Sequence, residues 1–298
     1  MLRHAVTGYV ITLGAIVAVA AVTGENAAAT PGPGPAAIRS VTPQGSAAGR
    51  LQAGEARIWY LGHCGFAVRT AGHLLIFDYQ ERRDGQEPRV RPDKPGLDRG
   101  WLDPAEIRDE RVRVFASHSH EDHFDPVVFT WRPAVPDIKY FFGWKAADDP
   151  AYHYLVGPRA TYSADGLEIL TVNSHHSGVP EVAFLVKVDG LTVYHNGDYQ
   201  MDYQADFPYL QTHAPTIDLM FVPPVAREDL KYAIQNKDLF ERFRPKAVFP
   251  MHAAAGAQMY REFADAFRLR VPGLPIMIPE RLGDRFDYVA GRINRSPR

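Results

Sequence analysis

The chain has 298 residues, of which 46% are hydrophobic and 23% charged, an ordinary balance for a soluble globular protein. A net charge of −2 predicts no strong attraction to nucleic acid or to anionic membrane. The single cysteine, Cys64, excludes an internal disulfide. Residues 1–29 begin with Arg3, continue through an uncharged apolar run at 6–22 and end in Ala27-Ala28-Ala29. This reads as a secretory signal peptide with cleavage after Ala29, which predicts a secreted or periplasmic protein. The rival reading is an uncleaved anchor, because the run is near the lower length of a membrane span. Residues 30–54 are rich in Pro, Gly, Ala and Ser and read as a flexible tether, leaving 55–298 as the folded domain.

Residues 58–61, 66–70 and 73–78 read as three strands joined by tight turns, the second at Ala71-Gly72. Cys64 sits in the first turn and is either a soft metal donor or a small packed residue. Residues 79–100 are charged and proline-bearing without a clear period, and read as a long loop that can overhang a site and shape substrate choice. Asp103-Pro104 gives a helix-start signal, with Asp103 as cap. Residues 112–116 read as a buried strand.

That strand runs into Ser117-His118-Ser119-His120-Glu121-Asp122-His123-Phe124-Asp125, three imidazoles and three carboxylates in nine residues. His118 and His120 are two apart and point the same way on extended backbone. Asp122 and His123 follow where the chain turns. The stretch can offer two imidazoles to one ion, and a carboxylate plus an imidazole to a second nearby. Neutral imidazole and carboxylate suit a divalent ion such as zinc, with manganese or iron as alternatives.

Continuing along the chain, 126–131 reads as a short helix and 138–142 as a strand. Trp144, Tyr152 and Tyr154 read as aromatic core or as pocket lining. Residues 167–172 form a strand that runs into His175 and His176. A second strand, 182–188, turns at Asp189-Gly190 into 191–194, which is followed at once by His195-Asn196-Gly197-Asp198. Residues 217–222 and 246–249 read as buried strands, the latter ending in Pro250-Met251-His252. Residues 229–243 and 257–267 have helical periodicity. Hairpins in the first half and strand–helix pairs in the second fit two sheets sandwiched between helices, an α+β four-layer αββα arrangement.

The 118–123 stretch matches the H-x-H-x-D-H signature of the metallo-β-lactamase superfamily. From about Arg57 to about Pro279 the chain resembles the branch similar to L-ascorbate-6-phosphate lactonase. The resemblance implies a binuclear site: His118, His120 and His176 on one ion, Asp122, His123 and His252 on the other, and Asp198 bridging. Either histidine of the 175–176 pair can fill its place; His176, followed by Ser-Gly, fits the pattern better. The Leu61-Gly62-His63 opening also resembles that branch, so His63 is either a residue facing metal or substrate or a turn histidine bonded to backbone. Asp78 either orients a metal-binding histidine or caps a strand end. His195, beside the Gly-Asp motif, joins them as a supporting or substrate-facing candidate.

Two ions that lower the pKa of a shared water would supply a bridging hydroxide as nucleophile, with Asp122 and Asp198 holding it. That implies a hydrolase acting on a small ester, lactone or phosphoester. The alternative is a metal-binding or sensing protein of the same fold without turnover. His120 departs from the glutamate used by the di-iron oxygen reductases of this fold, and Asp198 departs from the zinc β-lactamases, which lack the bridging aspartate. There is no room for the extra domain of the RNA-processing members. The expected partner is a small-molecule substrate, with no nucleic acid, and a membrane only if the N-terminal segment stays attached.

Overall fold

The computed structural model describes residues 49–84, 87–144, 152–154, 159–176, 178–198, 203–224, 230–253 and 256–297, without the side chains of 152–154, 173–176, 203–204 and 230–235. The expected leader, and all but the end of the expected tether, lie outside the described residues. In chain order the first half gives β1 (Ala56–Gly62), β2 (Gly65–Arg69), β3 (Leu74–Phe77), the short pair β4 (Arg83–Asp84) and β5 (Glu87–Pro88), β6 (Val112–Ala116), β7 (Ile138–Phe142) and β8 (Tyr152–Tyr154). The second half gives β9 (Thr161–Ala164), β10 (Leu167–His176), β11 (Val179–Val188), β12 (Leu191–His195), α1 (Tyr203–His213), β13 (Leu219–Val222), α2 (Leu230–Phe243), β14 (Ala247–Pro250), α3 (Ala257–Arg270), β15 (Arg285–Val289) and β16 (Arg292–Arg295).

These strands build two sheets, ordered β16-β15-β1-β2-β3-β6-β7-β8 and β14-β13-β12-β11-β10-β9. Apolar side chains on their facing sides, among them Phe66, Phe77, Phe115, Phe184, Phe221 and Phe249, pack into one central layer. The other face of the second sheet is covered by Phe207, Leu239, Phe240, Phe263 and Phe267 from the three helices. The chain thus has the metallo-β-lactamase fold, an α+β sandwich. The outer layer over the first sheet is built from turns and two 3-10 helices, carrying Leu97, Leu102, Ile107, Val128 and Trp131.

Several expected elements change. The helix signal at Asp103-Pro104 yields only a turn, in which Asp103 Oδ1 accepts from Ala105 N at 3.0 Å. Of the following six residues only Ala105 and Ile107 are apolar and only Ile107 is buried, so no buried stripe extends that turn. The 126–131 helix is 3-10, capped by Asp125 through Val127 N. The long loop after Tyr79 contains the β4–β5 pair. β10 runs on to His176, four residues beyond the expected strand, with the histidine pair at its end. Helix α1 and the β15–β16 hairpin appear where the sequence reading had no element; β15 pairs antiparallel with β1 and buries Phe286 and Tyr288. Trp144 stacks on Phe142 with centroids 5.0 Å apart, on the core side of its two readings.

Strand direction places the site. β3, β6 and β7 are parallel, as are β12, β13 and β14. Two antiparallel steps separate β1 from β3, and two separate β10 from β12, so β1 and β10 point the same way as those strands. The C-terminal ends of β1, β3, β6, β10, β12 and β14 therefore share one edge of the sandwich. The chain carries His63, Asp78, the 117–123 stretch, His176, Asp198 and His252 at those ends.

Candidate metal centre

The 117–123 turn leaves β6 and is closed by His123 N and Phe124 N, both donating to His120 O at 3.0 Å. Asp78, at the end of β3, lies behind it with no exposure. Its Oδ1 accepts from Ser117 N at 2.7 Å and its Oδ2 from Ser117 Oγ at 2.8 Å. Oδ2 also lies 2.7 Å from His123 Nδ1, which places a proton on Nδ1 and leaves Nε2 as the nitrogen facing the cluster. Of its two sequence readings, the orienting one describes the geometry. Burial alone would raise Asp78, but His195, His123 and His118 outweigh it and hold the carboxyl low.

His118 is also fully buried, with Nδ1 3.0 Å from Ser117 Oγ and Nε2 3.1 Å from His120 Nδ1. Burial pushes it down to about 3, with His123 adding to the effect, so it is a neutral ligand-competent imidazole. His123 Nε2 lies 3.3 Å from Asp198 Oδ2. That same oxygen lies 3.0 Å from His252 Nε2. His252 Nε2 and His63 Nε2 approach Asp122 Oδ2 to 3.8 and 3.3 Å. Burial alone would raise both aspartates; His123 and His252 outweigh it at Asp198, joined by His63 at Asp122, and both stay ionised. Burial alone would lower His123, yet Cys64, Asp198 and Asp78 hold it well above the usual imidazole range.

The tight turn at Asp198 depends on Gly197, at φ 56°, where a Cβ would lie 2.6 Å from that of Ser117. His63 and His252 also have positive φ, and His252 N donates to His63 O at 3.3 Å, joining the two loops. Asp84 Oδ1 accepts from His63 N at 2.9 Å, and Arg82 and Arg83 both pair with Glu121. The loop after Tyr79 thus flanks the cluster on two sides.

Six predicted ligands, His118, His120, Asp122, His123, Asp198 and His252, therefore converge. For His175 and His176 the backbone reaches the same edge, paired with Pro180 and Val179, while their side chains lie outside the described residues. His195 is buried and faces away from the donors: Nε2 donates to Cys64 O at 3.0 Å, Nδ1 accepts from Gly197 N at 3.3 Å, and the ring stacks on Phe77. It supports the turns and is not placed to meet substrate. Sequence reasoning missed Glu181 and Ser117. Glu181, fully buried on β11, accepts from Asp198 N at 2.7 Å and lies 3.4 Å from His118 Nδ1. A carboxylate directly before the expected 182–188 strand was its one signal.

Donor spacing tests whether an ion fits. Two donors on one ion, at bond lengths of about 2.0–2.3 Å, stand about 2.8–3.8 Å apart at octahedral to tetrahedral angles. The pairs His118–His120, His123–Asp198 and His252–Asp198, at 3.1, 3.3 and 3.0 Å, fall in that range. Charge agrees: Asp78, Glu181 and Asp198 are buried carboxylates beside imidazoles, and a cation there offsets the cost of burying them. Donor groups that can hold an ion are His118 with His120 and Asp122, His118 with His123 and Asp198, and His63 with Cys64, His123 and His252. The half-buried side chains of Asp122 and His252 mark the side open to solvent.

Residues 57–252 match the β-lactamase superfamily domain. The chain belongs to that superfamily. It is 26% identical over 209 residues to a UPF0173 metal-dependent hydrolase of Thermococcus kodakarensis, a match spanning 66% of this chain and 84% of that one. It is 28% identical over 211 residues, with the same coverage, to a UPF0173 metal-dependent hydrolase of Carboxydothermus hydrogenoformans. A solved structure of a metallo hydrolase from Ignicoccus hospitalis superposes with a TM-score of 0.52 at 18% identity, covering 79% of this chain and 99% of that chain. The structural likeness carries the fold alone.

Proposed function

We propose that this superfamily member is a metal-dependent hydrolase that takes two divalent ions, zinc first among the candidates, and acts on a small ester, lactone or phosphoester. A substrate like that of the L-ascorbate-6-phosphate lactonase branch is the first to try. The observation that carries the reading is the convergence of imidazole and carboxylate donors from the ends of β6, β12 and β14 at ligand spacing. The names of the curated relatives support it. When bound, the ions supply Lewis acidity and an acidified water.

The chain's own groups do the rest. Asp78 fixes the tautomer of His123, and Ser117 that of His118. Glu181 holds the backbone of Asp198 so that its carboxylate faces His123 and His252. Asp122 stays ionised on the open side, where it can accept a hydrogen bond from water and orient it. The fully buried imidazoles keep solvent off the rear of the cluster.

Metal analysis of the purified protein should find about two equivalents, and a panel of lactones, phosphodiesters and thioesters should reveal turnover. Asp198→Ala should lose metal and abolish that turnover while keeping the circular dichroism of the wild type. Full metal occupancy with no activity across the panel would replace the hydrolase by the sensing alternative. We also propose export, on the strength of residues 1–29: soluble protein from the native host should begin near Thr30, and an intact Met1 on cytoplasmic protein would refute it.

A further inference from the structure

The second ion position has more donors beside it than the superfamily signature assigns. Cys64 Sγ lies 3.8 Å from His123 Nε2, the nitrogen that Asp78 leaves free to face the cluster. A thiolate and an imidazole on one tetrahedral ion stand about 3.5 Å apart, given sulfur and nitrogen bonds of about 2.3 and 2.0–2.1 Å. Cys64 has no exposure, and its carbonyl is held by His195 Nε2, so the turn presents it at a fixed place.

The neighbouring side chain points independently to a ligand. His63 is 5% exposed; its Nδ1 has no hydrogen-bond partner, and its Nε2 has only the 3.3 Å approach to Asp122 Oδ2. A buried imidazole so poorly matched is costly to bury, so it calls for a bound partner. Its centroid stands 4.5 Å from that of His252 and 5.8 Å from that of His123. Ligand atoms of His63, Cys64, His123 and His252 all lie within 4.8 Å of one another. Opposite donors on one ion stand about 4.2–4.4 Å apart, so small side-chain rotations close the set.

We infer that His63 and Cys64 join His123 and His252 as donors to the second ion, giving that position a sulfur donor that the first position, beside His118 and His120, lacks. The inference rests on the metal-centre reading above. On binding, the thiol releases its proton to solvent and the thiolate bonds the ion. Sulfur biases the position towards zinc, iron or cobalt and away from magnesium or manganese.

Cobalt(II) titration of the chelator-stripped protein tests this directly, because a cobalt–thiolate bond adds a strong near-ultraviolet charge-transfer band. Cys64 is the chain's one cysteine, so the band has a single source. The wild type should develop it with one of its cobalt equivalents. Cys64→Ser should lose the band and bind that equivalent at least about tenfold more weakly, with unchanged circular dichroism. His63→Gln should keep the band, shift the visible cobalt spectrum and weaken the same equivalent by a similar factor. Should the serine variant not fold, Cys64→Ala replaces it. Cobalt uptake by the wild type without a charge-transfer band overturns the inference and leaves the metal centre standing. No cobalt uptake overturns both.

Discussion

Asp78→Asn separates the metal-centre reading from a merely structural one. In the wild type, three donors converge on the Asp78 carboxylate: Ser117 N, Ser117 Oγ and His123 Nδ1, at 2.7, 2.8 and 2.7 Å. Asparagine keeps the shape but turns one oxygen into an NH2. If its oxygen stays on Ser117 N, the amide faces Ser117 Oγ, which can rotate to accept, and His123 Nδ1–H, which cannot. The imidazole then moves its proton to Nε2, the atom 3.3 Å from Asp198 Oδ2, and loses the lone pair offered to an ion. Losing such a carboxylate behind a metal-binding histidine weakens metal affinity about 10- to 100-fold, or about 1.4–2.7 kcal/mol. The mismatched buried bond costs a further 1–3 kcal/mol or so of stability, lowering the melting temperature of the metal-free protein by about 2–4 °C per kcal/mol. Competition with a chromophoric chelator measures the first effect and thermal circular dichroism the second. Metal affinity within about threefold of wild type, alongside lowered stability, would refute the orienting role and leave Asp78 as a strand-end cap.

Three other outcomes follow from local geometry. Asp189 accepts from Thr70 Oγ1, Gly72 N and His73 Nδ1 at 2.6, 2.8 and 3.0 Å; burial alone would raise its carboxyl, but these bonds outweigh it and lower it from 3.8. Its stabilisation is therefore present above pH 3.8 and lost as pH falls through the lower folded value, so urea denaturation should show the gap between wild type and Asp189→Asn closing as the pH falls below 3.8; a constant gap would contradict the assignment. Gly197→Ala combines φ 56° with a 2.6 Å approach to Ser117 Cβ and should destabilise the fold by about 1–3 kcal/mol in chemical denaturation, a neutral effect counting against that backbone. His176→Ala should lower metal content more than His175→Ala, and the reverse order in metal analysis would exchange their places at the end of β10.

Legibility in the sequence followed distance along the chain. The 118–123 ligands could be read because they are contiguous, and one turn presents them together. Asp198 and His252 could be read only as residue types at strand ends, since pairing β12 with β13 and β14 is what brings them to the same edge. Glu181 could not: it lies just before the expected 182–188 strand, and only the extension and register of β11 put it under Asp198. Helix α1 has Pro208 inside it and little apolar periodicity, and it is held by burying Phe207 and Leu210. The β15–β16 hairpin completes its sheet by pairing with β1, which begins over two hundred residues earlier.

The remaining gap concerns the backbone. His63, Asp78 and His252 all sit at positive φ, at 48°, 41° and 61°. Left-handed backbone favours glycine, so nothing in these residue types announces it. Each such residue costs of order 1–3 kcal/mol and persists only where its surroundings fix it. Here His63 is fixed by Asp84 and His252, and Asp78 by the donation of its own N–H to Phe115 O at 2.9 Å. All three stand at strand ends on the edge where the imidazoles meet. A chain selected for stability alone would favour glycine at those positions. His63 and His252 each put an imidazole at the cluster and Asp78 orients a third, so these strained positions sit where the donors meet.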